Sequence, residues 1–185
     1  LCADHELNAS AFATRVAAST GASLHAAASA RLAALSGPQH GGATARAHAL
    51  IQQSLRQRQA DELVREYLRR GDALAGFGHP LYPDGDPRAG LLLDQLQALH
   101  PRRAAMRGIQ QLIAAVEHQC GLRPSLDFAL AAFVTIYGGS PEVGLALFAA
   151  GRMAGWLAHA LEQRASGGLI RPRATYAGIP PARDR

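Results

Sequence analysis

Alanine-rich stretches with apolar residues at helical spacing, each bounded by Gly, Pro, Ser or Asp, recur from one end of the 185-residue chain to the other. Alternating runs of Val, Ile and Thr, the pattern of a half-buried strand, are absent. A chain patterned this way buries its apolar side chains by packing helix on helix, so the sequence predicts an all-α fold. Helices are expected near 6–19, 23–35, 43–56, 61–70, 87–100, 101–119, 125–137 and 140–164. Asp86-Pro87, His100-Pro101 and Ser140-Pro141 put proline at a first helical position, where its missing N–H costs nothing. Gly71, Gly121 and Gly167 are expected stops, because the left-handed backbone that ends a helix is easily adopted by glycine. The 140–164 helix carries Val143, Leu147, Met153, Leu157 and Leu161 among small residues and is expected to be mostly buried. The run Ala26 to Ala34 reads as a tightly packed helix, and beyond Gly167 an extended arm is expected, with Pro172, Pro180 and Pro181 forbidding further helix.

Length allows one ordinary domain, or a small domain with pieces of another. The chain opens on Leu1 rather than Met and runs directly into Asp4-His5-Glu6, so an N-terminal portion is expected to precede it. Neither a bilayer-length apolar run nor a signal-peptide pattern is present, and the expected setting is a soluble protein of the cytoplasm. Cys2 and Cys120 stand far apart and outside any CxxC pair, which indicates neither a disulfide framework nor a zinc site. All 19 basic residues are Arg, and they give the net charge of +5. Composition alone favours a coding bias with a solvated surface; the sharper reading is a set of guanidinium forks for carboxylate or phosphate ligands. The few aromatic residues do not alternate with the arginines, which argues against a surface that stacks nucleic-acid bases.

Eight histidines make chance motifs common. His5-Glu6-Leu7-Asn8-Ala9 starts like a zinc-protease helix, but Ala9 stands where the second ligand is required. Around Ser140 the second glycine of a nucleophile elbow is replaced by Glu142, and Ser140 is better read as a helix cap. His40 lies in Gly37-Pro38-Gln39-His40-Gly41-Gly42, and His79 in Gly76-Phe77-Gly78-His79-Pro80. Both imidazoles are flanked by small residues that let a carbonyl ligand come close. Asp127 stands in the first turn of a helix between Leu126 and Phe128, where the helix dipole favours the anion and apolar neighbours oppose it. A carboxylate held between those influences can serve as a base toward carbon. Taken singly, each of these residues is equally at home as a loop anchor or helix-start residue.

Taken together they are more specific. The segments DHELNAS (4–10), GPQHGG (37–42), GFGHPLYPDGDPRA (76–89), PSLDF (124–128), FAAGRMAGWLAHALEQ (148–163) and LIRPRATYAG (169–178) occur in that order. In that order they resemble the signature segments of citrate synthases and the closely similar 2-methylcitrate synthases. The resemblance spans nearly the whole chain and implies a Claisen-type condensation of acetyl-CoA with oxaloacetate. It implies that Asp127 removes a methyl proton, that His40 hydrogen-bonds the thioester oxygen, and that His79 polarises and protonates the ketone. His5, Arg88, Arg152 and Arg171 match the oxaloacetate-binding positions, Arg171 reaching the site of a neighbouring subunit in a homodimer.

The same resemblance implies a two-domain, all-α fold: residues 1–39 and 151–185 in a large domain, and residues 40–150 in a small domain that closes over it. It implies a CoA thioester as substrate and no tightly bound cofactor, and the motifs and composition above indicate no metal, membrane or nucleic acid. Pro80-Leu81, Pro83-Asp84-Gly85 and Thr44 depart from the usual basic-Val, Lys-containing and Asn residues, and they bear on the CoA-contacting surface and the acyl preference. Two alternatives stay open: a 2-methylcitrate synthase using propionyl-CoA, and a non-catalytic ligand sensor that has kept the fold.

Overall fold

The computed structural model describes residues 1–38 and 40–178. Among them are eight helices: α1 (Ala9–Ser19), α2 (Leu24–Leu35), α3 (Gly42–Gln57), α4 (Ala60–Arg70), α5 (Pro87–Leu99), α6 (Ala104–Cys120), α7 (Leu126–Tyr137) and α8 (Pro141–Ser166). The all-α expectation holds, and each expected helix has its counterpart. Pro87 and Pro141 open α5 and α8, while Gly71, Gly121 and Gly167 end α4, α6 and α8 in left-handed conformation.

At the centre lies α7, apolar on every face, with Phe128, Ala129, Ala131 and Ala132 fully buried. A helix of that kind needs neighbours all round, and α3, α5, α6 and α8 supply them. One continuous core joins Ala47, Leu50 and Ile51 of α3 with Leu63 of α4, Leu93 of α5, Ile109 and Leu112 of α6, and Phe128 of α7. A second region, made of α1, α2 and α8, holds only small clusters around Ala11, Leu35 and Trp156 and around Ala18, Ala27 and Ala160. Polar contacts bind it as well. Arg15 of α1 donates to His159 Nδ1 (3.1 Å) and Gln163 Oε1 (3.3 Å) and pairs with Glu162, all on α8.

Three expectations need correction. Pro101 does not open α6: His100 is the C-cap of α5, Pro101 lies in the turn after it, and α6 starts at Ala104. Proline just past a C-cap serves as a stop, which the dipeptide alone does not distinguish from a start. The first helix begins at Ala9 rather than 6, because Glu6 sits at φ 56° and Asn8 caps the helix by accepting from the Ala11 N–H. Finally, α8 is not mostly buried: Gly144, Arg152, Gly155, Trp156, Ala160 and Gln163 are, but Val143, Leu147 and Leu161 face outward. In the same way α2 packs along one stripe, burying Ala27, Arg31 and Leu35. Residues 168–177 form neither helix nor strand, whereas Pro180 and Pro181 fall outside the described residues. No described helix is long and apolar enough to cross a membrane.

Candidate active site

Four helix N-termini meet at one cavity of about 180 Å³. Asn8 comes from the start of α1, Gly41 and Thr44 from α3, Arg88 from α5, and Leu126 and Asp127 from α7; His5, His40 and His79 enter from the adjoining loops, and Arg152 from the middle of α8. The helix dipoles at those ends favour an anion in the cavity.

Close approach places His40. The Gly41 N–H donates to the Leu35 carbonyl at 3.0 Å, folding the chain back on the end of α2. A Cβ at Gly41 would collide with that carbonyl and come within 2.9 Å of Leu145 Cδ1, so only glycine fits. His40 Nε2 lies 2.9 Å from the hydroxyl of fully buried Ser10, which is also 2.9 Å from Asn8 Oδ1 and accepts from the Trp156 indole N–H at 3.1 Å. Burial pushes the His40 pKa below its ordinary value; the charge of Asp127 opposes the shift and that of Arg152 adds to it.

His79 and Asp127 sit on loops stitched together by an isolated antiparallel bridge between Phe77 and Pro124. Gly78 N donates to Arg123 O and Ser125 N to Gly76 O, both at 2.8 Å. His79 Nδ1 accepts from the Leu81 N–H at 3.2 Å, so a neutral His79 ring carries its proton on Nε2. Its ring stands 5.1 Å from that of His5 and 5.2 Å from that of Tyr82, and His5 Nε2 is 3.1 Å from the Tyr82 hydroxyl. Burial, with the charge of Arg88 behind it, lowers the pKa of His5.

Asp86, the N-cap of α5, ties the loops to the helices. Its Oδ1 accepts from the Arg88 N–H (3.0 Å) and Nε (2.9 Å), and its Oδ2 from Arg88 Nη2 (2.7 Å) and from the Leu126 N–H of α7 (3.0 Å). Burial of Asp86 would raise its pKa, but the hydrogen bonds and charge of Arg88 prevail and hold it below the usual value. Asp127 accepts from the Thr44 hydroxyl, Oγ1 to Oδ1, at 2.6 Å. Arg152, 1 % exposed, spends its Nε on the Cys2 carbonyl and stacks over Phe148, while its Nη1 is buried without a partner. An orphaned guanidinium N–H costs free energy until an anion takes it up.

The structure thus brings together His5, His40, His79, Arg88, Asp127 and Arg152. Arg171 stays apart, exposed on the arm beyond α8 and not lining the cavity. Asn8, Ser10, Tyr82 and Asp86 were not singled out by the sequence reading, although Asn8 and Asp86 carried a signal as cap residues just before helices. Among the described residues no group of three or more His, Cys, Asp or Glu could hold a metal ion.

Residues 1–173 match the family "Citrate synthase, C-terminal domain", and the chain belongs to that family. It is 39% identical over 186 residues to the putative citrate synthase 2 of Mycobacterium tuberculosis, covering 97% of this chain and 49% of that protein. It is 35% identical to the 2-methylcitrate synthase of Shewanella oneidensis, with 98% and 49% covered. Among solved structures, citryl-CoA lyase from Hydrogenobacter thermophilus superposes with a TM-score of 0.85 at 30% identity over 98% of this chain and 75% of that one. The citrate synthase of Thermoplasma acidophilum, in ternary complex with carboxymethyl coenzyme A and oxaloacetate, gives 0.82 at 31% over 100% and 51%. The chain spans about half the length of the curated relatives it matches.

Proposed function

We propose that this chain carries the reacting residues of a citrate-synthase-type acyltransferase that condenses acetyl-CoA with oxaloacetate to citrate and CoA. The observation that carries the reading is the convergence of three imidazoles, one carboxylate and a buried arginine with an unpaired N–H on a single cavity. Arg88, Arg152 and His5 hold the two carboxylates of oxaloacetate. Asp127 takes a proton from the thioester's α-carbon, the C–H electron pair forms the C=C bond and the carbonyl π pair moves onto oxygen, giving an enolate.

His40 stabilises the enolate oxygen. Ser10 Oγ, whose own proton goes to Asn8 Oδ1, fixes the orientation of the His40 ring through Nε2 at 2.9 Å. The enolate carbon then attacks the ketone carbon, the thioester carbonyl re-forms, and the ketone oxygen takes the Nε2 proton of His79, which is restored through solvent as Asp127 gives up the proton it took. Water finally cleaves the C–S bond, releasing the CoA thiol and citrate. Each positioned acid or base contributes roughly 10²–10⁴ in rate.

In this reading residues 40–150 form the small domain, and residues 1–39 and 151–185 belong to the large one. The protein is a cytoplasmic homodimer in which Arg171 reaches the cavity of a second copy. It takes a CoA thioester as substrate and has no tightly bound cofactor. The altered segment 80–85 favours propionyl-CoA as a second donor, and the likeness to citryl-CoA lyase favours cleavage of citryl-CoA through the same residues in reverse. The test is thiol release by the protein as encoded, with acetyl-CoA and propionyl-CoA compared at saturating oxaloacetate, and cleavage of citryl-CoA in parallel. Asp127→Ala is expected to lower kcat by roughly 10²–10⁴; an unchanged rate removes Asp127 from its role, and a higher kcat/KM for either other substrate replaces the reaction named here.

A further inference from the structure

Thr44 stands in the first turn of α3, four residues after His40, and is 2 % exposed. A threonine in a helix ordinarily has the carbonyl four residues back as its nearest acceptor. This one instead donates its hydroxyl to Asp127 Oδ1 across the α3–α7 contact, at 2.6 Å, the length of an O–H bond to a charged oxygen. Its rotamer is set from the other side. Cγ2 lies against Gly144 of α8, where an added Cβ would come within 2.6 Å of it, so the methyl has room only because residue 144 is glycine. Among the described residues Asp127 Oδ2 accepts no hydrogen bond.

We infer that Thr44 is a positioning residue for the base: its hydroxyl occupies Oδ1, fixes the rotation of the carboxylate, and assigns proton abstraction to Oδ2. Because Thr44 follows His40 on the same segment, it also holds the base in register with the group that receives the enolate oxygen. This rests on the condensation reading above. Thr44→Val keeps the shape and both branches on Cβ but removes the O–H; Thr44→Ser keeps the O–H and loses the methyl.

With the protein as encoded, Thr44→Val is expected to lower kcat roughly 10- to 100-fold, the worth of a hydrogen bond to a charged group. The KM for oxaloacetate stays within about 2-fold, the deuterium isotope effect on kcat/KM with methyl-deuterated acetyl-CoA rises, and Thr44→Ser restores most of the rate. A urea-unfolding double-mutant cycle of Thr44→Val with Asp127→Asn reads the link without catalysis, and non-additivity is expected. Turnover by the unsubstituted protein with an indifferent Thr44→Val, or an additive cycle, overturns the positioning role alone. Absence of turnover in the unsubstituted protein overturns the condensation reading and this role with it.

Discussion

The helices α3 to α7 and the helices α1, α2 and α8 meet at the same cavity but are held together by different means. The first group encloses one apolar core running from Ala47 to Ile136, in which fully burying a Leu or Phe stabilises by about 1.5–3 kcal/mol. The second has two small clusters, a polar seam between α1 and α8, and two arginines buried with unpaired N–H groups, Arg31 over the Trp156 ring and Arg152 at the cavity. His79 and Asp127 are mounted on the region with the continuous core, and Arg152, with its unpaired N–H, on the other.

The contrast can be broken most directly at Phe128. Its ring is fully buried 4.6 Å from that of Phe77, and Phe128→Ala is expected to cost about 3–5 kcal/mol in urea unfolding. A loss below about 1 kcal/mol would show that α3 to α7 do not depend on their core. A smaller effect is expected on acidification. The folded-state pKa of Asp86 is depressed, so its contribution is complete above the unfolded carboxyl value of about 3.9 and is lost as pH falls through the lower folded value. Hydrogen exchange at the Leu126 amide, which Asp86 Oδ2 holds, should stay slow down to about pH 4 and quicken below it. Quickening already between pH 6 and 5 would assign the junction to another group. The smallest effect is expected at Leu161 of α8, which is 54% exposed; Leu161→Ala should change the stability of this chain by no more than about 0.5 kcal/mol. A larger loss would mean that this face is covered in solution.

How much the sequence revealed follows the same division. Helical periodicity and cap chemistry located all eight helices, because Asp86-Pro87, Ser140-Pro141 and the glycines at 71, 121 and 167 act on their own neighbours in the chain. His100-Pro101 misled because stopping one helix and starting another three residues on use the same residue. The outward face of α8 was illegible for a different reason: Val143, Leu147 and Leu161 have the spacing of buried residues, and periodicity does not say whether a neighbour is present. At the site, ordered motifs identified His40, His79, Asp127, Arg88 and Arg152. Ser10 was hidden, since it reaches His40 across 30 residues through packing that no local pattern encodes, and Asp86 was legible as a cap but its reach to Leu126 across 40 residues was not.

The bridge between Phe77 and Pro124 carries a mechanical consequence. Three hydrogen bonds, at Gly76, at Gly78 and between Asp86 and the Leu126 N–H, couple the loop of His79 to the start of α7. Any rotation of α3 to α7 that swings His79 must therefore swing Asp127 through the same arc, while His5, in the loop before α1, and Arg152, on α8, belong to the other group of elements.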